Sequence, residues 1–282
     1  MIKGILPINK PKNWTSFDGV NKIKHILKIR QVGHLGTLDP LATGVLLVTI
    51  GRATKLFDFF QEKIKTYPAK FEFGYETDSL DSDGKIVNET DIIPNLNQIK
   101  HVIGDFIGEI AQIPPKYSAK SVNGKRAYEL ARNNIDFELI PKIVTIYNIE
   151  ILNYTQNILT LNIQCGSGTY IRSICRDLAR KLNSYATMID LTRTSVGKIG
   201  VEDCVDIQDL KENNILDYII KLDVLIDIPI IKFNENQTYK LLNGQTIQTN
   251  LPNGSYKLND DTDTIAIVSV SKNNAKMSLF LN

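Results

Sequence analysis

The segment from Gly33 to Val48, GHLGTLDPLATGVLLV, constrains this chain most: an Asp-Pro held between glycines runs straight into an apolar stretch that reads as a buried strand. Pro40 fixes its own φ and pushes Asp39 towards an extended conformation, while Gly33, Gly36 and Gly44 permit tight bends on either side. The loop is therefore shaped, and it holds one carboxylate, Asp39, where a ligand can reach it. Asp-Pro is also ordinary turn punctuation, so the meaning of Asp39 depends on the rest of the chain.

Around this loop the patterns alternate between helix and strand. SFDGVNKIKHILKI, residues 16–29, places Phe17, Val20, Ile23 and Leu27 near one helical stripe with a basic outer face. Residues 44–50 read as a strand, 52–61 as a helix, and 65–73 as a strand whose Tyr67, Ala69, Phe71 and Phe73 alternate with Lys70 and Glu72. Pro68 suggests that this strand lies at an edge or that Pro68 begins it. Residues 97–110 read as a helix, 145–165 as a hairpin, 169–182 as a helix and 186–195 as a strand, together a mixed α+β domain. The stretch 116–142, rich in Lys, Asn and Arg, interrupts the sheet, and residues 228–282 give short strands that read as a small β unit.

Composition excludes more than it selects. A chain of 282 residues with 43% hydrophobic and 23% charged residues is ordinary water-soluble protein, long enough for one large core or two domains. MIKGILPINKPK has too short an apolar stretch for a signal peptide, and no window reaches the length of a membrane span, so a cytoplasmic protein is expected. Cys165, Cys175 and Cys204 form no C-x-x-C pair, which fits a reducing compartment. Net charge is only +2, yet residues 1–70 carry +8, 71–115 carry −7, 116–200 carry +6 and 201–282 carry −5. Blocks of this size can give a folded molecule one basic face, the footprint expected of a polyanion ligand.

Several suggestive motifs fail on inspection. DSDG at 81–84 resembles a calcium loop, but with Gly84 at loop position six the twelfth position is Thr90, so the acidic ligand is missing. GSGTYI resembles a dinucleotide fingerprint, but Ile171 stands at the third glycine position. His25, His34 and His101 lie far apart with no partner at metal spacing. No cofactor is called for. Arg172, Arg176 and Arg180 share one helical stripe, and for the latter two a solvated basic face is the expectation.

GHLGTLDPLATGVLLVTIGRATK resembles the signature segment of the TruB family of pseudouridine synthases, which isomerise a uridine in the T-loop of transfer RNA, at position 55. KTYPAKFEFGYETDSLDSDGKIV, QIPPKYSAKSVNGKRAYELAR, CGSGTYIRSICRDLARKL and IDLTRTSVGKIG resemble the family's later motifs in the family's order. With LPINKPKNWTSFDGVNKIK the likeness covers roughly residues 1–210. It implies a pseudouridine synthase fold, a mainly antiparallel mixed sheet flanked by helices, over 1–227. It also implies an RNA-gripping insertion at 116–142 and a PUA-like β domain at 228–282.

By the same resemblance Asp39 is the nucleophile, Tyr67 the proton acceptor and Arg172 the partner of Asp39. Tyr170 and Leu191 line the pocket, and His34 fills the gap that a displaced nucleotide leaves. Lys10, Lys12, Lys22 and Lys24 are phosphate candidates on charge and position alone. Burial disfavours a charged carboxylate, and an arginine at 4 Å offsets this by roughly 4 kcal/mol before desolvation at an effective dielectric near 20. The expected partner is the tRNA T-arm, with no membrane, no obligatory protein partner and a monomeric enzyme. The alternatives are a tRNA-folding chaperone, for which Asp39→Asn would be neutral, and a guide-RNA-dependent synthase, against which the insertion and short tail argue. A nucleotide-dependent oxidoreductase has only GSGTYI in its favour.

Overall fold

The computed structural model describes residues 2–57, 63–118, 120–122, 124–133, 135–260 and 263–281. In chain order come β1 (Gly4–Lys10), α1 (Ser16–Leu27), β2 (Val32–Leu35), β3 (Thr43–Ile50) and β4 (Lys65–Phe73). There follow β5 (Tyr75–Thr77), β6 (Ile86–Glu89), α2 (Leu96–Ile103), β7 (Gly108–Gln112), β8 (Ser121–Val122), β9 (Lys125–Arg126) and α3 (Ala127–Arg132). The hairpin β10 (Lys142–Thr155) and β11 (Ile158–Cys165) leads to α4 (Ile171–Lys181), β12 (Ala186–Arg193), β13 (Ser195–Val196), β14 (Ile199–Gly200) and β15 (Val205–Asp206).

These strands build a mixed, mainly antiparallel sheet ordered β15-β1-β3-β12-β4-β11-β10-β7, with β2, β13 and β14 beside it. The β10–β11 hairpin closes on a two-residue turn in which Gln156 and Asn157 both take positive φ, as a tight hairpin requires. α1 begins on a capping box: Thr15 Oγ1 accepts from the Asp18 amide at 3.0 Å and Asp18 Oδ2 accepts from the Thr15 amide at 2.8 Å. Val20 and Ile23 of α1 pack into the core, but Phe17 is exposed and lines the cleft described below, so the expected stripe is narrower at its start.

β3 is buried on both faces, and its alternate residues enter two different cores. Leu46 and Val48 pack with Val20 and Ile23, whereas Val45 and Leu47 pack with Ile267 and Leu281. Ile267 lies in, and Leu281 directly follows, a separate sheet of β16 (Ile230–Ile231), β17 (Ile247–Gln248), β18 (Gly254–Asn259), β19 (Thr264–Ser271) and β20 (Asn274–Phe280), ordered β16-β18-β19-β20-β17. This small C-terminal β unit also meets the main sheet through Lys3 Nζ on the Thr264 carbonyl at 3.0 Å and Arg52 stacked over Phe280 at 4.6 Å.

Three sequence expectations are corrected. The helix expected over 97–110 stops at Ile103, because Gly108 takes φ +101 and turns the chain into edge strand β7. Residues 51–56 form a tight 3-10 segment where an α-helix is expected from residue 52, Phe57 is α-helical, and 58–61 lie outside the described residues. Pro68, expected at an edge or strand start, sits inside β4, which is central.

The reason is a fork in the sheet that also makes the site. β12 pairs with β4 as far as Leu191 opposite Ala69, then leaves it to run parallel with β3, Thr192 opposite Thr43 and Arg193 opposite Gly44. β4 finds its next partner only at β13, Ser195 opposite Thr66. Pro68 lies in the gap, where no ladder N–H is needed. Gly44 permits the fork: its φ is +99, and a Cβ there would lie 2.2 Å from the Arg193 carbonyl oxygen. Gly44→Ala should therefore cost about 3 kcal/mol, read as a fall in the urea midpoint.

Candidate active site

A cleft of about 890 Å³ opens at this fork. His34 reaches it from β2, Asp39 and Pro40 from the loop before β3, Tyr67 from β4, Leu191 and Arg193 from the end of β12. Gly166 to Tyr170, the turn between β11 and α4, closes one side with Ile171 and Arg172 of α4, and Tyr117, Ser118, Tyr128 and Arg132 of residues 116–142 form part of another.

At its floor Arg172 holds the Asp-Pro loop. The guanidinium, 4% exposed, donates Nη2 to Asp39 Oδ1 at 2.8 Å and to the Tyr117 carbonyl at 3.1 Å, and Nη1 to the Ser79 carbonyl at 2.9 Å. Nη1 also lies 3.4 Å from Asp81 Oδ2. Asp81 is buried, and burial pushes its carboxyl up while Arg172 pulls it down. One arginine thus pairs with a buried carboxylate and with a second, Asp39, that keeps 30% of its side chain open to the cleft. The loop is tied below as well: Ser16 Oγ bonds both the amide and the carbonyl of Leu38, at 2.8 and 3.1 Å. Asp39 is consequently a pre-aimed carboxylate on a fixed loop, paired on one side and open on the other.

The structure gathers His34, Asp39, Tyr67, Tyr170, Arg172 and Leu191, all named from sequence, around this one cleft. Tyr67 is 7% exposed, and burial pushes its phenol up against the opposing pull of Arg193. Tyr170 is pushed up by burial too. His34 pairs with Val48 across β2 and β3, and burial with the nearby Arg193 holds its imidazole below the usual histidine range.

Lys10 and Lys12 do not join them. Lys12 is exposed away from the cleft, whereas Lys10 is fully buried, its ammonium bonded to the carbonyls of Pro11 at 2.9 Å, Trp14 at 2.6 Å and Pro40 at 3.4 Å. Lys10 therefore braces the Asp-Pro loop from beneath and is out of reach of a phosphate in solvent. Lys22 and Lys24 are half-buried on α1, over Trp14 and Phe17. Arg176, expected on a solvated face, is buried and donates to the Ile113 carbonyl at 2.9 Å, because α4 packs against the segment after β7. Arg180 keeps one side open but pairs with buried Glu76 at 2.9 Å.

Asp81, Arg193 and Lys65 were not singled out from sequence. Asp81 stands in the DSDG discarded as a calcium loop, and Arg193 two residues after Leu191, on the same face of a strand. Among the described residues no three His, Cys, Asp or Glu side chains converge where a metal ion could bind.

Burial pushes both Lys10 and Lys65 down to about 8. Between that value and the ordinary 10.5 the unfolded chain keeps lysine protons that the folded chain has released, so stability rises with pH. Urea midpoints should climb from pH 8 to 10 by the equivalent of about 2 kcal/mol per lysine, and Lys10→Met or Lys65→Met should each flatten that climb.

Comparison with known proteins agrees with the geometry. Residues 24–171 match the TruB family pseudouridylate synthase N terminal domain, and residues 172–222 the tRNA pseudouridylate synthase B C-terminal domain. The chain is 43% identical over 246 residues to tRNA pseudouridine synthase B of Clostridium kluyveri, covering 87% of this chain and 85% of that one. It is 40% identical over 260 residues to the Borreliella burgdorferi protein of the same name, covering 92% and 91%. In fold it resembles the chain in a structure of an H/ACA RNP bound to a substrate RNA containing 2'-deoxyuridine, with TM-score 0.72, 19% identity, and 99% of this chain and 85% of that one covered. It likewise resembles the chain in an archaeal box H/ACA sRNP Nop10-Cbf5 complex, with TM-score 0.71, 21% identity and 99% and 86% covered.

Proposed function

Since this chain belongs to the TruB family of pseudouridine synthases, and is an isomerase of uridine in tRNA, we propose that its target is the T-loop uridine and that Asp39 is its nucleophile. One observation carries the assignment to Asp39: its carboxylate is held 2.8 Å from the buried Arg172 guanidinium and open only towards the cleft.

Pseudouridine formation breaks the bond between C1′ of ribose and N1 of uracil, turns the base, and rejoins it through C5. A uridine stacked within a loop cannot reach the cleft floor, so the nucleotide must be flipped, at a cost of a few kcal/mol. Stacking on Tyr67 recovers about 1–3 kcal/mol, and its phenol accepts a proton. Tyr170 and Leu191 wall the base in, and His34 fills the space it leaves in the RNA. Residues 116–142 grip the T-arm, which lets the chain work as a monomer without guide RNA or protein partner. Residues 1–227 act as the catalytic domain and 228–282 as a PUA-like accessory. A role confined to folding tRNA is not favoured, since it has no use for a carboxylate poised at the floor of a cleft.

The test is release of tritium from tRNA labelled at C5 of uridine, because rejoining through C5 expels that hydrogen. Wild-type protein should release one equivalent from a transcript whose only labelled uridine is in the T-loop. Label lost from other loops but not this one would overturn the assignment. Tyr67→Phe should bind tRNA within a few-fold of wild type and turn over about 10²–10⁴-fold more slowly. Unchanged turnover would remove the proton-transfer role.

A further inference from the structure

Behind Tyr67 lie two buried cations that the pairing of Asp39 with Arg172 does not use. Arg193 is 1% exposed, and its hydrogen bonds end on neutral oxygens: Nε to the Val45 carbonyl at 2.7 Å, Nη2 to the Gly36 carbonyl at 3.0 Å and Nη1 to Tyr67 Oη at 3.5 Å. Lys65, 7% exposed, stands two residues from Tyr67 on the same face of β4 and donates to the Lys63 carbonyl at 2.9 Å and Ser167 Oγ at 2.8 Å. A guanidinium this deep is costly unless an anion meets it. Among the groups to which Arg193 donates, only the Tyr67 phenol can become one.

We propose that Arg193 is a positioning residue that stabilises Tyr67 as a phenolate, so that Tyr67 can take the C5 proton of the turned base. The inference rests on Tyr67 being the proton acceptor. Two arms of the rigid guanidinium are fixed by the carbonyls of Val45 on β3 and Gly36 just after β2, which aims the third across the fork at the phenol oxygen. The contact is long for a neutral phenol and strengthens as charge builds there. The other ionisable groups near Tyr67 are Cys165 on β11 and Asp39 across the cleft, and both oppose a phenolate when charged. The positive charge must therefore come from Arg193.

The step balances without an added reagent. Once C5 has bonded to C1′ it carries both the sugar and its hydrogen. The phenolate takes that hydrogen as a proton, the C–H electron pair returns to the ring, and N1, freed from the sugar, takes a proton from water. Tyr67 leaves the step as a phenol and returns its proton to solvent.

The experiment is a double-mutant cycle on the full chain, read as single-turnover tritium release at saturating tRNA between pH 6 and 9. Arg193→Gln should slow the step about 10²-fold with little change in KM, and because burial holds the phenol above its ordinary value, both rates should rise with pH across this range. Arg193→Lys, which restores the charge without the fork, should recover part of the loss. In a Tyr67→Phe background Arg193→Gln should cost nothing further. An equal loss in that background, or Lys and Gln variants that are equally slow, overturns the role of Arg193 while leaving Tyr67 intact. A fully active Tyr67→Phe overturns both. Should neither Arg193 variant fold, 3-fluorotyrosine at position 67 in the otherwise unaltered chain should move the rising limb of the rate profile to lower pH. An unmoved profile overturns the phenolate.

Discussion

Asp39→Asn should lower pseudouridine formation by at least about 10⁴-fold while leaving tRNA affinity within a few-fold. The substitution keeps the shape of the side chain, and the Oδ1 that accepts from Arg172 at 2.8 Å can still accept as an amide oxygen, so the loop should hold. What disappears is the negative charge and the nucleophilic oxygen facing the cleft. Release of C5 tritium measures the loss, and filter binding of the same tRNA measures what is retained. Turnover near wild type would sink Asp39 as nucleophile, and weakened binding with normal turnover per bound complex would assign it to recognition instead.

Arg172→Ala should be the second large effect, and it should strike stability as well as rate. Removing a buried partner leaves Asp81 as an uncompensated buried charge and Asp39 without its anchor, a loss of about 3–5 kcal/mol in unfolding free energy. Turnover should fall about 10³-fold or more, since the nucleophile loses both its charge partner and its aim. The sign with pH follows from Asp81. Without Arg172 its carboxyl rises further above the unfolded value, so the folded chain holds a proton that the unfolded chain has released. Stability therefore falls as pH rises through that window, and acidification towards pH 4 should shrink the deficit. Arg172→Ala with Asp81→Asn should regain stability but not activity. Urea midpoints and tritium release separate the two outcomes.

Much of the cleft was legible from local words. Asp39 announces itself through Pro40 and the glycines around it, and the alternation of residues 65–73 places Tyr67 on the same face as Phe71 and Phe73, as β4 does. The short-range rules failed where long-range pairing decides. Pro68 reads as an edge residue because a proline wastes a ladder N–H, yet β4 is central and the proline falls in the gap where β12 has already left for β3. Lys10 reads as a surface cation because lysines are rarely buried, but three carbonyls from two separate segments surround its ammonium. Arg193 gave no local signal beyond its distance from Leu191.

The chain by itself determined most of the elements, the shaped Asp-Pro loop and the family words that identify the chemistry, because backbone preferences and side-chain periodicity act over a few residues. Only the tertiary structure decided that one arginine would serve two carboxylates from distant segments, that a lysine would brace a loop instead of gripping RNA, and that a fork between β3 and β4 would open the cleft. Those outcomes depend on which strands meet at what register and which charges are then cut off from water. Such energies arise only when residues more than a hundred positions apart, such as Asp39 and Arg172 or Tyr67 and Arg193, come together.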